Sequence, residues 1–373
     1  MSPDTLHYLL LGVQNVTWQS LVMIAIGLLL IYLAISKEYE PLLLIPIGAG
    51  AVLANLPLSP LVGEQGALSI LYAMGVGNEL FPLLIFLGIG ALTDFGPLLE
   101  NPKMVLLGAA GQFGIFMTLI LALLLGFNQN QAASIGIIGA IDGPTSIYVS
   151  NKLAPELVGP ITVAAYSYMS LVPIIMPPIM RLLTTEKERQ IRMPYQSREI
   201  SQRTRILFPI MVTIFVGTVV PFATPLIGML MLGNLMKESK VVERLTNASS
   251  NELANVVTLF LGLAIGSTMI GGKFLQLSTL FILILGLLAF VLDTVMGLLF
   301  GKLMNVISGG KFNPLIGAAG ISAFPMAARV VQKEAQRASF DNFLLMHAMG
   351  ANAAGQVASV VAGGVLLALM GAA

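Results

Sequence analysis

The chain has 373 residues, of which 56% are hydrophobic and 10% charged, and its mean hydropathy is +0.89. Soluble domains carry about 25% charged residues, so this composition indicates a polytopic membrane protein. A net charge of +1 gives no indication of a nucleic-acid partner, and the lack of cysteine excludes disulfides, thiolate metal sites and cysteine nucleophiles.

Hydrophobic segments follow one another along most of the chain, and a membrane span needs about 20 mostly apolar residues. Because lipid cannot satisfy open backbone groups, each segment is expected to be helical. The predicted fold is an all-α polytopic membrane protein. Its eleven segments are 19–36, 41–58, 68–92, 104–127, 132–150, 159–183, 206–232, 254–272, 274–300, 313–331 and 343–371.

A polar loop at 181–205 separates the sixth and seventh segments. It carries seven of the nineteen Lys and Arg residues against three Glu, so the positive-inside rule predicts that it is cytoplasmic. If every segment crosses the bacterial inner membrane, the N-terminus is cytoplasmic and the C-terminus lies outside. That count fits one loop badly, because it places Lys237, Lys240 and Arg244 outside.

Similar short motifs occur in the same order on both sides of the polar loop. This order predicts two repeats of five segments, 41–183 and 206–373, separated by the loop 184–205 and preceded by an extra helix within 1–40. The repeats are inverted if the fourth segment of each crosses the membrane, and parallel if it turns back. The motifs are LANLP, NEL, FLGIG and GIIGAIDGP at 53–57, 78–80, 86–90 and 136–144, followed by LGNLM, NEL, FLGLAIG and GAAGISAFP at 232–236, 251–253, 260–266 and 317–325.

Asp142 stands in an otherwise apolar or small stretch, GAIDGPTSIYVSNKLAP (139–155), and Gly143 and Pro144 follow it. Proline and glycine allow the helix to unwind and free carbonyl oxygens, which is tolerated at membrane depth where it lines a polar cavity. Carbonyls, a carboxylate and the hydroxyls of Thr145 and Ser146 are hard ligands that suit Na+ or a proton. The alternative is that Asp142 caps a half-helix at the membrane interface.

The matching segment, NPLIGAAGISAFPMAARVVQKEAQ (313–336), repeats this design with neutral groups. Asn313 and Gly317 are four residues apart, which predicts that they share one face of a first half-helix. Ser322 lies beside the break at Phe324–Pro325. Arg329 is predicted near the cytoplasmic end, where ordinary snorkelling to the interface is the alternative role.

Further polar residues lie in other apolar segments. Tyr168 and Asn352 are candidate ligands in the fifth segment of each half, although a hydrogen bond between helices is the commoner role of such residues. Asp94 is predicted to cap a loop, and Asp293 is either part of a buried pair or a second ion ligand. With no P-loop, nucleophile elbow or Ser/His/Asp set in the sequence, the residues alone predict a cation transporter.

Four stretches of the sequence together resemble the β subunit of the biotin-dependent Na+-pumping decarboxylases, which act on oxaloacetate, methylmalonyl-CoA, glutaconyl-CoA or malonate. The resemblance runs from the first hydrophobic segment to the C-terminus. The stretches are LTDFGPLLENP (92–102), GAIDGPTSIYVSNKLAP, NPLIGAAGISAFPMAARVVQKEAQ and LLMHAMGANAAGQV (344–357).

The resemblance implies that this subunit decarboxylates carboxybiotin on a separate carrier and couples the reaction to outward Na+ transport, with consumption of a proton. It implies catalytic roles for Arg329, which would hold carboxybiotin, and for Tyr168 and Ser322. The Na+ ligands expected in this way are Asp142, Asn313, Gly317, Ser322, Tyr168 and Asn352.

The resemblance also implies partners. These are a biotin carrier protein, a carboxyltransferase α subunit and a small γ or δ membrane subunit, around a homotrimeric β core. The chain has no Met-Lys-Met site for biotin, so biotin is expected as a visiting group. The short stretch before the first span favours an acyl-CoA complex. A secondary Na+/carboxylate symporter without chemistry, or a membrane anchor for a soluble decarboxylase, are the alternatives.

Overall fold

A computed structural model describes residues 11–195 and 199–371, and the prediction of an all-α membrane protein is confirmed over this part of the chain, which contains helices and no strand. Six of its helices are long and apolar enough to span a membrane. A seventh span results if two helices joined at a 59° bend, Ala67–Gly77 and Leu80–Leu92, are counted as one. The eleven predicted segments therefore do not correspond to eleven regular spans.

The helices follow one another with short connections, and we number them in chain order. The first nine are α1 Trp18–Lys37, α2 Pro41–Asn55, α3 Ala67–Tyr72, α4 Leu80–Leu92, α5 Gly96–Glu100, α6 Met104–Ala110, α7 Phe113–Leu124, α8 Gln129–Gly136 and α9 Gly143–Leu153. The remainder are α10 Val158–Leu183, α11 Glu186–Arg189, α12 Gln202–Val219, α13 Thr224–Ser239, α14 Glu243–Ala248, α15 Ala254–Thr268, α16 Gly271–Phe274, α17 Leu277–Ile307, α18 Met326–Ala338 and α19 Leu345–Leu369.

One compact unit comprises the described residues up to Phe81 together with Asn255–Ile282. Its helices α1 and α2 pack closely at two glycines, since a Cβ on Gly27 would lie 2.7 Å from the carbonyl oxygen of Gly48. Small residues of this kind bring membrane helices together. The buried Asn55 side chain donates to the Met269 carbonyl at 2.7 Å and accepts from the Gly271 amide at 3.0 Å.

The other unit, Pro82–Ala254 with Leu283–Ala373, shows that the predicted single segment 206–232 is wrong. It forms two helices, α12 and α13, because Val220 precedes Pro221 and a residue before proline disfavours helical geometry. The chain turns back, so the Arg205 guanidinium lies 3.7 Å from the Glu238 carboxylate. Lys237, near the end of α13, and Lys240 and Arg244, which follow it, therefore lie at the end of the hairpin where α12 begins. They need no longer lie on the opposite side from the polar loop, as the predicted count of crossings required.

The broken segment between α17 and α19 also returns to the side from which it starts. At its beginning the Asn313 amide donates to the carbonyls of Arg189 and Ile191 at 3.0 and 2.8 Å. After its end the Asn342 amide donates to the same two carbonyls at 2.9 and 3.2 Å. Both ends thus contact the polar loop, and Lys302 near the end of α17 pairs with Glu188 of that loop at 3.3 Å.

The first broken segment, α8 to α9, turns back in the same way. The Gln131 amide at its start donates to the Glu156 carboxylate just after its end, at 3.0 Å. A re-entrant segment changes the number of crossings. The predicted cytoplasmic N-terminus, which lies outside the described residues, is therefore no longer supported by that count.

The polar loop is fastened to α18 by a buried carboxylate. Glu334 is 3% exposed and accepts from Arg181 Nε and Nη2, both at 2.7 Å, and from Arg337 at 2.9 Å. Burial raises the pKa of the Glu334 carboxyl, but the hydrogen bonds and charges of the two arginines outweigh it and hold the pKa below 4.5. Bidentate pairing of this type is among the stronger interactions of side chains.

We predict that Glu334→Gln lowers the melting temperature of the purified protein at neutral pH, because the substitution removes the charge of a carboxylate that accepts three hydrogen bonds from two arginines. A carboxyl whose pKa is lower in the folded state stabilises the fold above its unfolded pKa and loses this effect as the pH falls through the folded value. The difference from wild type should therefore shrink below pH 4.5.

Thermal unfolding in detergent across pH 3.5–7.5 tests this, with Asp341→Asn as the control. Asp341 forms a 3.6 Å pair with Arg192 in which both side chains are more than half exposed, so its loss should have little effect. A pH-independent difference for Glu334→Gln would contradict the assignment.

Candidate functional site

The first broken segment places Asp142 at the start of a helix. A 3-10 turn, Ile137–Ala140, leads into Ile141, whose φ of 51° lies in the left-handed region. A β-branched residue rarely adopts this conformation, and such positions cluster at functional sites. Asp142 then caps α9, and its Oδ1 accepts from the Thr145 amide at 3.3 Å. The capping role considered as an alternative is therefore present, and the capping carboxylate is buried, at 4% exposure.

The second carboxylate oxygen of Asp142 accepts three further hydrogen bonds. Ser322 and Ser359 donate through their hydroxyls at 3.0 Å each, and Gln356 donates through Nε2 at 3.1 Å. These donors come from the second broken segment and from α19. Hydrogen bonds to the ionised form offset part of the cost of burying a carboxylate, so the donors at this site favour the charged form of Asp142 against the effect of burial.

The two broken segments meet at this site. The Ser322 amide donates to the Ala140 carbonyl at 3.3 Å, so the backbone of one break contacts the other directly. Ser322 is followed by the cis peptide Phe324–Pro325. Ser146 does not face an open cavity, since its hydroxyl donates to the Asp142 carbonyl at 2.8 Å.

Glycines allow this close approach. A Cβ on Gly111 or on Gly355 would collide with the Gly320 carbonyl, and a Cβ on Gly317 would collide with the Gly297 carbonyl. The loop that carries Ser322 is thus enclosed by backbone on several sides. Close packing of the backbone around this loop therefore fixes the positions of its oxygen atoms.

Of the other predicted ligands, Asn352 lies beside the Ser322 loop. Its Nδ2 donates to the Ile321 carbonyl at 2.6 Å, and its Oδ1 is buried without a protein partner among the described residues. A buried oxygen without a partner is rare and fits a cation ligand. Tyr168 donates to the Leu283 carbonyl and packs beside Gly286 and Ile138, but it makes no hydrogen bond with Asp142 in the described part of the chain.

The structure corrects the prediction that Asn313 and Gly317 share one face of a first half-helix. Residues 314–319 form a 3-10 helix, and Asn313 caps it by accepting from the Leu315 amide at 3.0 Å. The Asn313 amide is directed at the polar loop instead. A spacing of four residues places two side chains on one face of an α-helix only.

Arg329 lines a cavity of about 460 Å³, together with Asp94, Phe324, Pro325 and Met349. Its side chain is exposed and makes no ion pair or hydrogen bond within residues 11–195 and 199–371. The volume lies in the range of small-molecule sites. Asp94 precedes Phe95, the N-cap residue of α5. Its Oδ1 accepts from the Gly96 amide at 2.8 Å and pairs with Arg205 at 3.5 Å.

Sequence reasoning missed Gln356 and Ser359, which contribute two of the three donors to Asp142 Oδ2. The signal that would have identified them is their spacing. Asn352, Gln356 and Ser359 recur at intervals of four and three, so they lie on one face of α19. In the sequence this polar face is hidden among glycines and alanines.

Comparison with known proteins identifies close relatives of the chain. The family model of the Na+-transporting oxaloacetate decarboxylase beta subunit matches residues 19–370. Methylmalonyl-CoA decarboxylase subunit beta of Veillonella parvula is 55% identical over 94% of this chain and 92% of its own length. Glutaconyl-CoA decarboxylase subunit beta of Acidaminococcus fermentans is 53% identical over 95% of this chain and 94% of its own length. The oxaloacetate decarboxylase beta chain of Klebsiella pneumoniae is 47% identical over 96% of this chain and 96% of its own length.

We predict that Gly355→Ala destabilises the protein by about 1–3 kcal/mol, because the new Cβ would lie 2.6 Å from the Ile321 carbonyl oxygen. Gly228→Ala in α13 is the matched control, since its Cβ would meet nothing within 4 Å. It should keep or raise stability, as alanine favours helix over glycine. Melting temperatures of both variants in detergent check this, and equal values would contradict it.

Proposed function

The chain belongs to the family of Na+-transporting decarboxylase β subunits, and from that premise we propose that it decarboxylates carboxybiotin and couples this reaction to Na+ export. The protein is the multi-pass membrane subunit of a multi-subunit decarboxylase complex. The N–CO2 bond of carboxybiotin breaks, CO2 leaves, and the ureido nitrogen takes up a proton. The energy released moves Na+ outward across the bacterial cytoplasmic membrane.

The observation that carries this proposal is the set of three donors on Asp142 Oδ2 where the two broken segments meet. The hydroxyl oxygens of Ser322 and Ser359 have lone pairs that can turn toward a cation. The Asn352 Oδ1 atom, which has no partner among the described residues, lies at the neighbouring loop. Carboxylate, hydroxyl and amide oxygens are the hard ligands that Na+ prefers. Asp142 supplies the charge that offsets the ion.

Carboxybiotin is proposed to enter the cavity lined by Arg329. A guanidinium keeps its charge and can bind a carboxylate through two parallel hydrogen bonds, and Arg329 has no competing protein partner among the described residues. Loss of CO2 removes the carboxylate, so the attraction for Arg329 ends with the reaction. We propose Arg329 as the binding residue, with Tyr168 and Ser322 in the catalytic roles implied by the family.

Chain connectivity suggests how chemistry and transport are coupled. Ser322 contacts Asp142, and Phe324 and Pro325, two and three residues later, line the Arg329 cavity. A change in the cavity therefore reaches Ser322 through a few covalent bonds. Each charge moved outward against about 100 mV costs about 2.3 kcal/mol, which the decarboxylation must supply.

The remaining partners and the orientation are also proposals. Identities of 55% and 53% to the acyl-CoA enzymes, against 47% to the oxaloacetate enzyme, support an acyl-CoA complex. A biotin carrier protein, a carboxyltransferase α subunit and a small γ or δ subunit would surround a homotrimeric β core. With the polar loop in the cytoplasm, α19 begins near that loop, where His347 contacts the Met193 carbonyl at 3.3 Å, and ends outside.

We propose, finally, two inverted repeats of six elements each. Each repeat gains one crossing from its hairpin and loses one at its re-entrant segment, so five crossings remain, and an odd number inverts the second copy. The first repeat begins with the hairpin α1–α2 and the second with the hairpin α12–α13. In this arrangement α1, which the sequence predicted to be an extra helix, is the counterpart of α12. A π-helix follows in both, at Ala73–Gly77 and Ser249–Leu253. A long span, a re-entrant segment and a last helix complete each repeat. Such paired broken segments are typical of transporter sites.

We predict that Asp142→Asn lowers carboxybiotin decarboxylation by the complex about a hundredfold or more, because the substitution removes the charge that holds the ion. The measurement is CO2 release by the purified complex in detergent, with NaCl or choline chloride, alongside Asp341→Asn as control. If CO2 release depends neither on Na+ nor on the substitution, Asp142 has no role in coupling the reaction to Na+. No release, with Na+ flux intact in vesicles, would favour a symporter.

We predict that Gln356→Leu raises the Na+ concentration for half-maximal decarboxylation about tenfold, because residues that orient a ligand carboxylate affect metal affinity. Gln112→Leu is the matched control. Gln112 is also buried, but its Nε2 contacts the carbonyls of Gly108 and Gly320 rather than Asp142. A larger Na+ shift in Gln112→Leu than in Gln356→Leu would contradict this role.

A further inference from the structure

Asp293 is a further buried carboxyl group in the unit that holds Asp142, and none of the ion pairs within the described residues includes it. Asp293 lies within α17, a 31-residue apolar helix, and is 0% exposed. Ionisable residues at such depth are rare and mark functional positions by default. Neither the family comparison nor the proposed Na+ site gives this residue a role.

Two glycines from other elements make room for the Asp293 carboxyl group. The Gly114 amide at the start of α7 donates to Oδ1, and a Cβ on Gly114 would lie 2.7 Å from that oxygen. A Cβ on Gly139, in the 3-10 turn before Asp142, would lie 2.9 Å from Oδ2. A larger residue at either position would displace the carboxyl group, so the backbone is shaped around it.

The Asp293 Oδ2 atom has no hydrogen-bond partner among the described residues. The space beside Gly139 is also bordered by the Ile115 amide nitrogen and the Ala289 methyl group, which would lie 3.0 and 3.2 Å from a Cβ on Gly139. A cation would need several oxygen ligands here, whereas a proton needs none beyond the carboxyl itself. A carboxylate buried with a single hydrogen bond is costly, so the neutral acid fits this surrounding.

Ionisable groups around Asp293 are few and separate. The turn Ile137–Ala140 and α7 contain none. On its own helix, Lys302 is paired with Glu188 of the polar loop. From α10, Tyr168 packs beside Gly286, two turns before Asp293, and its hydroxyl donates to the Leu283 carbonyl. Asp142 is the remaining carboxyl group of the same turn region.

The position of Gly139 links the two carboxyl groups. Asp293 contacts the turn at Gly139, and Asp142 follows the same turn three residues later. The next residue, Ala140, accepts from the Ser322 amide. A movement of this turn when Na+ enters or leaves the Asp142 site would therefore uncover Oδ2 of Asp293.

We propose that Asp293 is a proton-binding site of the pump, which is protonated in the described conformation and exchanges its proton with water when the turn 137–142 moves. The O–H bond of the carboxyl group breaks, the proton passes to water, and a carboxylate remains until the turn closes and a proton returns. No electrons are transferred. The proposal rests on the Na+ site at Asp142, and Asp293 would link Na+ occupancy to proton exchange.

The first test measures protons released when NaCl, but not choline chloride, is added to the weakly buffered purified complex. Asp293→Asn should release about one proton fewer per β subunit than wild type. Thr294→Val is the control, because Thr294 is buried beside Asp293 and donates within its own helix to the Phe290 carbonyl at 3.0 Å. Equal release by Asp293→Asn and wild type would overturn the proposal.

The second test measures Na+ uptake by vesicles that contain the complex. Asp293→Asn preserves the shape of the neutral acid, so the variant should retain full uptake if Asp293 has only a structural role. Na+ uptake by Asp293→Asn at the wild-type level would therefore overturn the proposal. A proton-exchanging group predicts a fall of about a hundredfold, with Thr294→Val near wild type. Na+-dependent CO2 release by wild type is measured in parallel, and its absence would reject the proposed function instead.

If Asp293→Asn does not assemble, infrared difference spectra of wild type and Asp293→Glu replace both tests. Replacing K+ in the buffer with Na+ should remove the infrared band of a protonated carboxyl group in wild type. In Asp293→Glu, whose side chain is longer, this band should lie at a different position. A band at the same position in both proteins, or no band in either, would overturn the proposal.

Discussion

The structure depends on how a carboxylate is held inside a membrane protein. An unpaired charge at membrane depth costs at least about 2.5 kcal/mol, and the Asp142 side chain meets this cost with four hydrogen bonds, one to Oδ1 and three to Oδ2. An unbroken helix offers no free amides in its interior. The chain must therefore break beside Asp142, so that Thr145 can donate its amide as the start of a new helix.

That requirement explains why a second break is needed opposite the first. The donor Ser322 reaches Asp142 because its own backbone leaves helical geometry, and its amide is satisfied by the Ala140 carbonyl. Each break thus supplies a partner for the other. Open backbone at membrane depth survives only when buried in protein, and the glycine contacts at Gly111 and Gly355 provide that cover.

The sequence predicted well those features that follow from residue type. Hydropathy identified the helical membrane class, and Gly143 and Pro144 located the break at Asp142. The direction of each segment was not predictable in this way, because a run of apolar residues looks the same whether it crosses or turns back. Pro221 was the clue to the hairpin in 206–232, but prolines also occur inside α10, which continues through them.

The partners of the site were predictable only in part, for a related reason. Ser322 adjoined a visible break, whereas Gln356 and Ser359 lie in a regular helix where polar residues usually join helices. Asn313 and Gly317 were expected to share one face because α-helical spacing was assumed, and a 3-10 helix rotates successive residues by 120° rather than 100°. Local geometry decided these cases, and composition does not encode it.

The arrangement of donors also bears on how the proposed Na+ site would work. In the described conformation protein groups donate three hydrogen bonds to Asp142 Oδ2. At the Na+ site that we propose, the ion would displace these hydrogen bonds as it binds, and its release would restore them. Ser322 both donates to Asp142 and precedes the cavity residues Phe324 and Pro325. The free-energy cost of replacing the hydrogen-bond donors of Asp142 with Na+ can therefore depend on what occupies the Arg329 cavity. Such a dependence is the physical requirement for coupling a reaction to transport.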